Sequence, residues 1–233
     1  MERKKQIEIK FLDLFYKYRF YLLFLALMNS LLVPPISVFP ILQITFKLIS
    51  FTILILSGVN FIEENRKKTR FIWLIFGIFI VGISFFSEYL PHFRIFSYLA
   101  NILKFVFFSL TTASLIRQII AIEKVTADVI LGSFCGYLLL GSMCFFLFML
   151  IDIANPHALY GLSTNPFFRE NQIFYYTFSC LTTAGFGDIV ATSIASQKLA
   201  IFTASIGQFY IAVIVATLIS RYMNTHNLKN KTN

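Results

Sequence analysis

Thr182-Thr183-Ala184-Gly185-Phe186-Gly187-Asp188 is a short polar, glycine-bearing run set between two long apolar segments. Glycines at alternate positions have a specific structural use. A strand that turns successive backbone carbonyls to one side must adopt conformations closed to ordinary L-residues and open to glycine, and Gly185 and Gly187 supply them. Thr183 adds a side-chain hydroxyl below the last carbonyl, one more oxygen layer at the inner end of such a row. A plain turn between helices would explain a glycine pair, but the whole seven-residue string is far more specific than that.

Outward from this run the chain is apolar. Its 233 residues are 58% hydrophobic, 18% aromatic and only 13% charged. A soluble domain carries about twice that charged share, so the composition is that of an integral membrane protein. The net charge of +9 falls in short clusters beside apolar stretches, as cytoplasmic anchors do, and gives no case for a nucleic-acid partner. A span needs about 20 mostly apolar residues. Six segments qualify, at 20–38, 40–62, 71–90, 95–116, 128–151 and 199–220. Pro34, Pro35 and Pro40 mark a tight outer hairpin after the first, in preference to a kink in a longer helix.

Basic residues set the orientation. Arg3, Lys4, Lys5, Lys10, Lys17 and Arg19 precede the first span, and Arg66, Lys67, Lys68 and Arg70 separate the second from the third. Arg117 and Lys124 follow the fourth, and Arg221, Lys229 and Lys231 the sixth. All four clusters belong on the cytoplasmic face, with both termini, so the 152–198 connection faces outward. The basic start followed by an apolar run resembles a signal peptide, but no small-x-small cleavage site precedes Pro34-Pro35, so the segment is expected to be retained. Cys135, Cys144 and Cys180 lie in apolar or aromatic sequence with neither a disulfide framework nor a metal spacing.

With this setting established, the run at 182–188 resembles the selectivity filter of tetrameric potassium channels, which reads T-T-x-G-Y-G-D, with Phe186 in place of the usual Tyr. The resemblance implies an all-α membrane protein of six transmembrane helices, with a re-entrant pore helix and filter between the fifth and sixth. It also implies a homotetramer, each chain meeting three further copies of itself in membrane lipid, with K⁺ as the permeant ion and no cofactor. Thr182, Thr183, Ala184, Gly185, Phe186 and Gly187 would form the filter, and Thr183, Ala184, Gly185 and Phe186 would hold K⁺ through oxygens that replace its water shell. Asp188 would stand at the outer mouth, either as an anionic ring or as a solvated residue satisfying loop amides.

Asn171 is a candidate cap for a pore helix over 172–181. Its C-terminal partial negative charge would point toward the bilayer centre, where a dehydrated cation needs it. Tyr175-Tyr176 occupy the place of the family's paired tryptophans behind the filter. Ser179 stands where some relatives carry an acid that pairs with the aspartate after the filter. These departures, with Ala184 and Phe186, imply a filter that recognises K⁺ but is less firmly braced. Gly207, nineteen positions beyond Asp188, matches the family's inner-helix glycine, where bending and close packing are equally open readings. Ile211 and Val215, four apart, would line the cavity below the filter.

The organisation expected is a basic cytoplasmic segment at 1–19, a four-helix peripheral domain at 20–124, a pore domain at 125–222 and a short cytoplasmic tail at 223–233. The fourth span is no voltage sensor, because Arg94, Lys104 and Arg117 are ten and thirteen residues apart where such a helix repeats its charge every third position. Lys104 and Lys47 in mid-span are expensive, roughly 2.5–3.5 kcal/mol each on insertion scales, and snorkel or pair at a helix interface, or sense modestly; Glu88 is the nearest acidic candidate for Lys104. The alternatives to a potassium-selective channel are a weakly selective cation channel and a potassium transporter subunit. Transporter chains fuse four repeats, however, and usually keep one filter glycine. An enzyme is not expected, since His92, His157 and His226 are scattered and no catalytic motif appears. Abundant Phe, Ile, Asn and Lys point to an AT-rich bacterial coding sequence and hence to the inner membrane.

Overall fold

The computed structural model describes residues 18–32, 40–59, 67–89, 94–122 and 126–231. The basic cluster at 3–17, the hairpin expected at Pro34-Pro35, and the side chains of Lys47, Glu88 and Val215 lie outside what is described. The helices are α1 (Arg19–Leu32), α2 (Pro40–Val59), α3 (Lys67–Tyr89), α4 (Arg94–Ala121), α5 (Ala127–Ala154), α6 (Pro166–Leu181) and α7 (Ile194–Lys231). Two short strands, β1 (Leu159–Tyr160) and β2 (Val190–Ala191), pair antiparallel with Leu159 opposite Ala191. Among the described residues α4, α5 and α7 are long and apolar enough to cross a membrane, and the apolar stretches of α1, α2 and α3 are shorter.

Residues 1–85 and 86–233 form two compact units. In the first, Phe20, Leu23, Ala26 and Leu27 of α1 and Leu54 and Ile55 of α2 are buried. The Asn29 amide donates to the Ser50 hydroxyl at 2.7 Å, a polar tie between two mostly apolar helices. A Cβ on Gly77 would strike the Ile55 side chain, so a residue without one lets α3 pack closely on α2.

The second unit groups α4 with the elements around 182–188. Phe108 of α4 meets Phe146 of α5 with ring centroids 5.1 Å apart, and the Lys104 ammonium lies 5.8 Å from the centroid of that same Phe146 ring. An aromatic face is one way for a mid-span cation to be accommodated. Hydroxyls within the helices find partners locally. Thr111, Thr112, Ser133 and Thr203 each donate to the carbonyl four residues back, so these polar groups leave nothing unsatisfied in an apolar surrounding. The Arg221 guanidinium of α7 reaches the carbonyls of Ile119, Ile120 and Ile122, where the C-terminal end of α4 collects partial negative charge.

Two helix boundaries differ from expectation. The helix before Thr182 starts at Pro166, not after Asn171, which sits inside it. Proline needs no N–H partner at the first helical position, and Asn165 takes the cap position, its carbonyl accepting the Arg169 N–H at 2.9 Å. The last helix begins at Ile194 and runs to Lys231, through the stretch expected to be a tail. Ser193 and Ser196 cap its start reciprocally, the Ser196 N–H reaching the Ser193 hydroxyl at 3.1 Å and the Ser193 N–H the Ser196 hydroxyl at 3.2 Å. No glycine or proline follows Gly207 to end it.

Candidate functional site

The site is assembled where α6 ends. Four carbonyls at a helix C-terminus lack intrahelical partners, and here the next residues of the chain supply donors to three of them, those of Phe178, Ser179 and Cys180. The Thr182 N–H donates to Phe178 O at 2.9 Å, Thr183 to Cys180 O at 2.9 Å, and Ala184 and Gly185 to Ser179 O at 2.9 and 3.3 Å. The Thr182 hydroxyl also donates to Phe178 O, at 2.8 Å. The run is thereby folded back onto the negative end of α6 before the chain goes on to β2.

Along the run the backbone alternates. Thr183, Gly185 and Gly187 have φ of 58°, 54° and 82°, while the residues between them stay at negative φ. Alternation of this kind is the backbone pattern that can turn successive peptide planes the same way and line up their carbonyls. The two glycines were legible from sequence; Thr183 in the left-handed region was not, because a β-branched residue there is a genuine outlier. Residues 182–188 are all exposed in the single chain, and a Cβ placed on Gly185 or Gly187 would meet nothing within 4 Å. Those two glycines are therefore required by conformation and not by crowding.

Behind the strand each expected support residue has a definite partner. Tyr175 stacks on Phe186 with centroids 5.7 Å apart and planes 10° from parallel, and burial together with a hydrogen bond to the Asp188 carboxylate and the charge of that group pushes the Tyr175 phenol up. Tyr176 points the other way, into a buried edge-to-face contact with Phe148 of α5 at 5.2 Å. The Ser179 hydroxyl accepts the Phe186 N–H at 3.4 Å. Asp188 accepts the Ile189 N–H at 3.1 Å, and Ile189 is buried.

Glycines bring the surrounding helices close. A Cβ on Gly141 would enter the Phe178 ring, and one on Gly207 would land on the Leu181 carbonyl. That carbonyl accepts the Tyr137 hydroxyl at 3.2 Å, while the Tyr210 hydroxyl of α7 donates to Ser133 O of α5 at 2.7 Å. Ile211 is exposed on α7, and Val215 follows one turn later on the same helix.

Three contacts around the site were not read from sequence. Arg169 at the start of α6 grips Asp152 near the end of α5 through Nε at 2.9 Å and Nη2 at 2.6 Å, and this pairing raises the Arg169 pKa further. At the outer exit of the strand, Gly161 (φ 91°) lies so close to the Asp188 carbonyl that a side chain would strike it, which seats the β1–β2 pair against the end of the run. At the inner end, the Gln208 amide donates to the Thr183 hydroxyl at 3.0 Å. A lone Gln in the apolar part of α7 is the sequence signal nearest to the last of these contacts.

The run at 182–188 thus follows a short helix and lies between two helices long and apolar enough to cross a membrane. Residues 135–224 match the family model described as ion channel, a stretch that starts within α5, ends within α7 and contains the whole of 182–188. Comparison with curated proteins and with solved structures gave no match. The family match, together with the apolar helices, supports a helical integral membrane protein that acts as an ion channel.

Proposed function

We propose that four copies of the chain form a potassium-selective channel conducting K⁺ passively through a central pore, without steep voltage gating. The observation that carries this reading is the alternating φ at Thr183, Gly185 and Gly187 in a strand seated on the C-terminal end of α6. Carbonyls so aligned can replace the hydration shell of a dehydrated cation, and the helix end adds partial negative charge beneath it. One exposed strand surrounds nothing. The bare side of 182–188 favours closure by three further copies, with K⁺ held at Thr183, Ala184, Gly185 and Phe186.

In this reading Asp188 draws cations to the outer mouth, Ile211 and Val215 line the cavity, and α1, α2 and α3 add three crossings to those of α4, α5 and α7. Both termini are cytoplasmic and the membrane is the bacterial inner membrane. The wide spacing of Arg94, Lys104 and Arg117 leaves α4 without the charge array that steep voltage dependence requires. Stacking of Tyr175 on Phe186 supplies a brace that needs no phenolic hydroxyl at position 186, which favours selectivity over a loose cation pore.

Purified protein in a planar bilayer should show unitary current steps in K⁺ that vanish when Na⁺ is the only cation. Saturable uptake without unitary steps would identify a carrier instead, and equal steps in the two ions a non-selective pore.

A further inference from the structure

We infer that Gln208 is a positioning residue for the innermost oxygen layer, its amide holding the Thr183 hydroxyl so that it presents a lone pair, and not its proton, to the ion path. This rests on the potassium-channel reading and adds to it a residue on the inner helix. The Thr183 hydroxyl donates to Thr182 O at 2.6 Å and accepts from Gln208 Nε2 at 3.0 Å. A hydroxyl has one proton and two acceptor lone pairs. With the proton committed to Thr182 O and one lone pair to Gln208, the remaining lone pair is what the oxygen has left to offer a cation.

The geometry that makes this possible is local. Gly207 lets α7 approach the Leu181 carbonyl, and the next residue, Gln208, carries the only side-chain amide between Ile201 and Met223, in a stretch dominated by Phe, Tyr, Ile, Ala and Val. An apolar side chain would suit the exposed face of such a helix as well; the amide has a use only because a polar partner lies within reach. Thr183 also needs help to stay in place, since it is a β-branched residue at φ 58°, and a second hydrogen bond from another helix over-determines its position.

The test is a cycle of two substitutions read as the ratio of K⁺ to Na⁺ flux into liposomes. Gln208→Met keeps most of the volume and removes the amide; Thr183→Val keeps the β-branch and removes the hydroxyl. Gln208→Met should lower the ratio about three- to tenfold where Thr183 is present, the range one hydrogen bond commands. In the Thr183→Val background it should change the ratio by less than about twofold, because its partner is gone. Gln208→Leu, tested alongside, provides the same readout should Gln208→Met fold poorly. A selective wild type in which the Gln208 substitution has no effect, or the same effect in both backgrounds, overturns the inference and leaves the channel reading standing. A wild type with no K⁺ preference overturns both.

Discussion

Gly185→Ala is expected to lower K⁺ flux about a thousandfold while leaving the membrane helices folded. Gly185 sits at φ 54° with open space where a Cβ would be, so alanine meets no clash and the helices around it have no reason to move. The penalty is conformational, about 1–2 kcal/mol for holding an L-residue in the left-handed region. In a ring of four copies it is incurred four times, about 4 kcal/mol at the lower bound, and each 1.4 kcal/mol is about a factor of ten. The strand escapes by turning its peptide planes out of register, which removes carbonyls from the row. Flux into liposomes and helical content by circular dichroism would separate the two effects. Flux near that of the wild type would mean that the left-handed conformation at Gly185 has no part in conduction.

Gly207→Ala is expected to destabilise the protein by about 1–3 kcal/mol per chain, the usual cost of forcing a methyl group into a packed site. The new Cβ would land on Leu181 O, a backbone atom fixed by the end of α6 and already accepting the Tyr137 hydroxyl. Either α7 moves away from the strand or α6 does. A glycine kept for bending predicts the opposite sign, because alanine in a helix interior is more stable than glycine by roughly 0.5–1 kcal/mol and would leave only gating changed. Gly82 of α3 is the control, with nothing within 4 Å of its would-be Cβ. Thermal unfolding in detergent should therefore fall for Gly207→Ala and hold or rise for Gly82→Ala; a rise for both would assign Gly207 to bending.

What could be read from the sequence was what local chemistry dictates. Six apolar segments, a glycine pair at alternate positions and a short aromatic helix before them follow from solvent, backbone sterics and periodicity, and α4, α5, α6 and α7 appear where the apolar pattern puts them. Their ends were less legible. The start of α6 is decided by Pro166 and Asn165, and the start of α7 by the reciprocal Ser193–Ser196 cap, signals that a search for a longer apolar run passes over.

Contacts between elements were the least legible. Tyr175 and Tyr176 are adjacent and chemically identical, yet one stacks on Phe186 and the other is buried against Phe148; only the direction in which α6 faces the strand separates them. For the same reason the absence of a hydroxyl on Phe186 and of an acid at Ser179 read as missing braces. In the structure the ring stack and the Ser179–Phe186 hydrogen bond occupy those places. The Arg169–Asp152 pair and the Gln208–Thr183 bond join residues 17 and 25 positions apart, and the packing of α6 between α5 and α7 creates them.

The most direct measurement is the reversal potential of the current through reconstituted protein with K⁺ on one side of the bilayer and Na⁺ on the other. A carbonyl row that substitutes for the water shell of K⁺ predicts reversal displaced far toward the value for K⁺ alone, in the wild type and not in Gly185→Ala. Reversal at zero in the wild type would contradict it.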